Sequence, residues 1–216
     1  MSEFDLSSSS SATPKAKMIL AAVIAVALLF GWVAVRRQLG GMIAEMTPST
    51  DPNAPAAAEL ARSMAPSDPI TLWLKANLER NIFSPERTSA AIKLYEDTVR
   101  LSPNDFRWWI ELGRAYEQAE MNDRAEASLR RAIALAPTYT FPRWQFGNFL
   151  LRQGRTDEAF AEFKAATENN QTYREQVFSL AWEYFGKDPA KLEQVIADKP
   201  DVYASLALFY GARGQA

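Results

Sequence analysis

Set against itself at a shift of 34 residues, the chain beyond residue 70 repeats. Ala91, Ala125 and Ala159 coincide, as do Tyr95, Leu129 and Phe163, and Thr98, Ala132 and Ala166. Leu112 falls on Phe146, Gly113 on Gly147, Tyr116 on Leu150, and Pro103 on Pro137. A unit of this length holds two short helices that cannot bury their apolar faces alone, so neighbouring units must stack and cover one another. Residues 106–139 give each slot a physical sense. Gly113, Ala125 and Ala132 are small where two antiparallel helices approach. Trp109, Leu112, Tyr116 and Leu129 fill the space between them, and Pro137 stops the second helix.

The series Trp109, Leu112, Gly113, Tyr116, Ala125, Leu129, Ala132, Pro137 resembles the tetratricopeptide repeat almost position by position. The resemblance implies an all-α fold, a right-handed superhelix of helical hairpins with three clear units at 72–105, 106–139 and 140–173 and a degenerate one over 174–216. The third unit keeps Gly147, Ala159, Phe163 and Ala166, with Trp144 displaced by one position, Gln171 in place of the terminal proline, and Gly154 and Asp157 at the turn. In the first unit Glu79 takes the slot of Gly113 and Gly147, which suggests an end-cap hairpin facing solvent. Beyond 174 the interval shortens to 26 residues, since Val177, Leu180, Ala181 and Tyr184 reappear as Tyr203, Leu206, Ala207 and Tyr210. Asp188 and Pro189 are composed to start a short second helix ending near Pro200. A last helix, Asp201 to Ala212, then lacks a hairpin partner: either its edge docks a partner or a second copy, or sequence is missing.

Ahead of the 70–216 repeat domain, residues 18–35 are uninterruptedly apolar, bracketed by Lys15 and Lys17 before and Arg36 and Arg37 after. As a helix this run is about 27 Å long, close to a hydrocarbon core of roughly 30 Å, and flanking cations can snorkel. A cleaved signal peptide would end at Ala25-Val26-Ala27, but the apolar run continues past it, which favours an uncleaved transmembrane helix over 18–37. The cations are balanced across the span, so topology rests on layout. A short tail ending in lysine before an uncleaved segment suggests a cytoplasmic N-terminus and extracytoplasmic repeats, while Arg36 and Arg37 argue the other way. Residues 1–17, with serine from Ser7 to Ser11, are expected to be a disordered tail. Residues 38–69 read as a Pro- and Ala-rich linker able to hold the repeats tens of ångströms off the bilayer, with Ala56 to Ala65 composed for a short helix.

The chain has no cysteine and no histidine, which excludes thiolate chemistry, imidazole bases and the usual zinc or copper ligand sets. A net charge of −2 offers no basic field for nucleic acid. No phosphate loop, nucleophile elbow or metal motif appears, so no catalytic residue, cofactor or metal is expected and the chain is not read as an enzyme. In the resembled family the first helix of each hairpin lines a concave groove. That places Trp73 and Arg80 there from the first unit, Arg107, Arg114, Glu117 and Gln118 from the second, and Phe141, Trp144, Asn148 and Arg152 from the third. Mixed aromatic and basic groups suit a peptide with apolar anchors and carboxylates. Solvated arginine and core-filling aromatics on amphipathic helices would give the same pattern. The family's clamp for chaperone C-termini, built of Lys and Asn, is absent: its positions hold Ala76, Arg80, Glu111, Phe141 and Gln145. The expected function is a single-pass membrane scaffold that binds another protein in a bacterial-type envelope complex. The alternative is an accessory subunit held by its transmembrane helix, with the repeats as spacer or packing surface.

Overall fold

The computed structural model describes residues 13–168 and 170–214; residues 1–12 of the expected tail lie outside them. Among the described residues there are eleven helices and no strand. The chain divides into two compact units, Met1–Thr71 and Leu72–Ala216.

The first unit is a helical hairpin. Helix α1, Pro14–Met46, starts with Thr13 as cap, its Oγ1 accepting from the Ala16 N–H at 3.4 Å, and proline in the first turn. Residues 14–17, expected in the tail, form that first turn. Met18 to Val35 are exposed on every side, so nothing described buries the apolar run. By length and composition α1 can cross a membrane. It then runs on to Met46 through residues expected as linker. Gly40 and Gly41 fall inside α1, and at Gly40 the C-terminal end of α2, Ala54–Met64, lies against it. A Cβ there would lie 2.7 Å from Ala65 Cβ and 2.8 Å from the Ala61 carbonyl oxygen. Packing at that contact offsets the cost of glycine in a helix, about 1 kcal/mol. Gly40 and Ala44 meet a row of alanines, Ala54, Ala58, Ala61 and Ala65, all buried and spaced three or four residues apart. The open end of the hairpin is fastened by Arg36, which donates to the Ser63 carbonyl at 2.8 Å, and by Arg37, 3.5 Å from Asp68.

The second unit stacks α3 (Pro69–Arg80, whose first turn belongs to the first unit), α4 (Pro85–Leu101), α5 (Phe106–Gln118), α6 (Asn122–Leu135), α7 (Thr140–Arg152) and α8 (Thr156–Thr167), then α9 (Arg174–Tyr184), α10 (Pro189–Gln194) and α11 (Pro200–Ala212). From α4 to α10 consecutive helices pack in chain order, and α5 also touches α7, as α9 touches α11. Local sequence sets the ends. Ser84 with Pro85, and Asp188 with Pro189, cap α4 and α10, and Asp105 caps α5. Gly154 closes the α7–α8 turn at φ +74°. The periodic glycines are contact points: a Cβ on Gly113 would come within 2.9 Å of Leu129 Cγ, and one on Gly147 would enter the ring of Phe163.

Two expectations are corrected. Glu79 does not turn to solvent. It is buried, receiving a hydrogen bond from Arg87 on α4 at 2.7 Å and pairing with Lys75, so the first hairpin is closed by an ion pair where the next two pack a side chain of the second helix against a glycine of the first. In α11 the buried residues are Val202, Leu206 and Phe209, while Tyr203 and Ala207 face outward; the 26-residue register therefore does not describe which face packs.

Candidate functional site

The first helices of three successive hairpins, α3, α5 and α7, contribute to one cavity of about 480 Å³. Its lining is Arg80, Asn81, Phe83, Arg114, Glu117, Gln118, Gln145 and Arg152. It thus joins Arg80, Arg114, Glu117, Gln118 and Arg152 from the residues expected in the groove.

The charges are ordered by two carboxylates. Glu111 accepts from Arg80 at 2.8 Å and from Arg114 at 3.1 Å, one arginine on each oxygen. Glu117 accepts two bonds from Arg152, at 2.6 and 2.8 Å. Gln118 donates to the Arg80 carbonyl at 3.2 Å and to Thr88 at 3.3 Å, which ties α5 to the first hairpin. Three guanidiniums thus stand against two carboxylates, a net positive charge of one. Each guanidinium carries five N–H donors, so Arg114 and Arg152, both largely exposed, keep donors for a further carboxylate. The Gln145 side-chain amide has no hydrogen-bond partner among the described residues and adds an uncommitted donor and acceptor.

The floor beneath Arg80 is fixed. Its guanidinium lies 5.7 Å from the Tyr95 ring, and its Nη2 donates to Asn77 Oδ1 at 3.3 Å, the atom that also accepts from the Tyr95 hydroxyl. Burial pushes the Tyr95 phenol well up, so it stays a donor. On α5 the Tyr116 hydroxyl donates to Glu96 at 2.6 Å, and burial, with that carboxylate beside it, pushes its pKa up to about 12.

The remaining expected groove residues lie elsewhere. Trp73 packs at 6.1 Å on Trp108, and Arg107, bonded to the cap carboxylate of Asp105, sits 5.2 Å over the same Trp108 ring. Trp144 is stacked on Tyr173 at 5.2 Å and tilted against Phe163, part of the packing between the third hairpin and α9. Asn148 turns its amide back to the Trp144 carbonyl at 2.8 Å, and Phe141 lies exposed outside the cavity lining. Asn81 and Phe83 were missed because they follow α3, beyond the helical slots; an aromatic between Ile82 and a Ser-Pro cap was the available signal. Phe83 is 90% exposed and also borders a larger, more apolar depression of about 810 Å³ with Ile92 and Met121.

Residues 107–139 match the tetratricopeptide repeat family, the stretch in which the Gly113 and Leu129 contact sits. That stretch is a tetratricopeptide repeat. Among solved structures the chain's fold is similar to a crystal structure of MamA, at 19% identity over 70% of this chain and 88% of that one, with a TM-score of 0.51. MamA residues 41 to the end from Desulfovibrio magneticus RS-1 align at 19% identity over 63% of this chain and 74% of that one, with a TM-score of 0.50. These likenesses are of fold. No curated protein matches the chain by sequence.

Proposed function

We propose that this tetratricopeptide protein is a non-catalytic scaffold, anchored in a bilayer by residues 18–35, which holds another protein or peptide in the groove of its repeats. The envelope of a bacterial-type cell is the setting we assign, with the repeats on the extracytoplasmic side. The observation that carries the reading is the cavity lined by Arg80, Arg114 and Arg152 from three hairpins, with Arg114 and Arg152 exposed and holding donors beyond their internal partners. That arrangement suits a chain segment bearing carboxylates, with Phe83 as an apolar contact at the rim. The apolar helix, covered by nothing among the described residues, supports the anchor. The exposed outer face of α11, where Leu208 is 78% exposed, supports self-association as a second contact.

The test places a photo-crosslinking residue at Gln145 in native membranes and identifies what it captures by mass spectrometry. One protein should dominate, and the double substitution Arg114→Glu with Arg152→Glu should abolish its capture while helical circular dichroism is unchanged. Undiminished capture removes the groove from the account. One observation favours a second reading, an accessory subunit whose repeats only pack or space: the groove arginines already have Glu111 and Glu117 as internal partners. Deleting residues 1–37 separates the two, since a scaffold still captures its partner and an accessory subunit does not.

A further inference from the structure

We propose that the α1–α2 hairpin is a bilayer-surface clamp, which brings the chain back to the lipid headgroups and holds Asp68 there beside Arg36 and Arg37. The inference rests on the membrane reading of α1. If Val35 marks the end of the apolar span, α1 carries eleven further residues, Arg36 to Met46, about 16 Å into the aqueous side. Helix α2 also has 11 residues and runs back antiparallel over about the same length, so the two cancel. The return is measured directly at the base of the hairpin. Arg37 and Asp68, 31 residues apart in sequence, lie 3.5 Å apart at their side chains, whereas that length of extended chain could span about 100 Å.

The hairpin is built to hold this length. The seam of Gly40 and Ala44 against Ala58, Ala61 and Ala65 is tight, with no side chain larger than a methyl group. Arg36 closes the C-terminal end of α2 by taking the Ser63 carbonyl, one of the carbonyls a helix end leaves open. Thr71 locks the exit, its hydroxyl donating to the Ala65 and Asp68 carbonyls at 2.8 and 2.9 Å. Arg37 is still 64% exposed, so its remaining donors face the phosphate of a lipid headgroup. The stretch composed like a flexible tether therefore gives no reach: the chain leaves the first unit at the height at which it left the bilayer.

The absence of cysteine permits single-site labels on the full chain. The chain is reconstituted in vesicles of phosphatidylcholine and phosphatidylglycerol, with a fluorophore at Leu28→Cys, Thr50→Cys or Ser67→Cys and nitroxide lipids as quenchers. Leu28 should be quenched by acyl-chain nitroxides. Ser67 should be quenched by headgroup nitroxides several-fold more than Thr50 at the hairpin tip. If Leu28 escapes quenching, the membrane reading fails and takes the clamp with it. If Leu28 is quenched but Ser67 is no more quenched than Thr50, the clamp alone is overturned. Adding Gly40→Leu should bring Ser67 down to the Thr50 level; a chain that keeps full Ser67 quenching would show that the seam does not hold the return.

Discussion

Arg152 of α7 grips Glu117 of α5 through two parallel hydrogen bonds, so successive first helices are joined at the cavity by a two-pronged ion pair. The pair lies open to water on the arginine side, and its contribution is correspondingly small. Glu117→Gln should lower unfolding free energy by no more than about 1 kcal/mol. Glu111→Gln should cost more, because that carboxylate alone serves both Arg80 and Arg114, and Arg80 is mostly buried. Urea titrations of the two variants, side by side, give the order.

Gly147→Ala should destabilise more than Gly113→Ala. At Gly113 the new methyl lies 2.9 Å from Leu129 Cγ and 3.3 Å from the Ala125 carbonyl oxygen, a slighter overlap against one aliphatic side chain. At Gly147 it meets the fully buried Phe163 ring, which is held by Phe160 and Trp144 and has nowhere to go. Overpacking of this kind costs about 1–3 kcal/mol, with Gly147 at the upper end. Thermal unfolding of both variants tests the order; equal shifts would contradict it.

The same contrast explains what the sequence could tell. The hairpins from 106 to 168 were legible because a small residue recurs at each close contact, and such contacts leave a periodic mark. The first hairpin is closed by Glu79 and Arg87, and an ion pair can stand in for a glycine without any period to betray it. The α1–α2 hairpin was hidden by its own composition: glycine, alanine and proline describe a loose tether equally well, and only the pairing of Gly40 with Ala61 and Ala65 distinguishes a tight seam. At the cavity, side-chain type and helical slot pointed to Arg80, Arg114, Glu117, Gln118 and Arg152, which line it, while Trp73 and Trp144 pack instead on Trp108 and Tyr173, aromatic neighbours that slot counting ignores.

Glu120→Gly should stabilise the protein. Glu120 lies 34 residues before Gly154 and has the same left-handed backbone, φ 58° against 74°. The turns share their hydrogen bonds too, Met121 N–H to the Tyr116 carbonyl and Arg155 N–H to the Leu150 carbonyl. A residue with a Cβ is strained in that region by about 1 kcal/mol, and glycine relieves it. A rise in urea midpoint without change of slope would bear this out, and a fall would count against it.

Arg174→Met should cost about 3 kcal/mol, the scale for leaving buried polar partners without their cation. Arg174 is only 2% exposed, and its guanidinium donates to the carbonyls of Thr167, Glu168 and Asp201, to Ser205 and to the Asp201 carboxylate. It therefore pins the end of α8 and the start of α11 to α9. Arg174→Lys should recover little, since one ammonium cannot reach so many acceptors. Amide exchange should accelerate over 174–214 in both variants and stay unchanged over 106–135.

Acid should destabilise the repeats through three carboxylates. The Arg155 guanidinium bonded to Glu126, helped by Arg130 and opposed by burial, holds that carboxyl below its ordinary value. The hydrogen bond from Arg174 does the same for Asp201. At Glu79 burial is the largest single influence and acts upward, but Arg87 and Lys75 together outweigh it and leave the group lowered. A carboxyl whose folded pKa is depressed contributes stability that is complete above its unfolded value of about 4 and disappears as pH falls through the folded value. Unfolding free energy should therefore be flat from neutral pH down to about 5 on account of these groups and decline below about 4. Glu126→Gln and Asp201→Asn should each start lower at neutral pH and decline less steeply in acid. Parallel acid limbs in variant and parent would mean that these ion pairs do not set the acid limit.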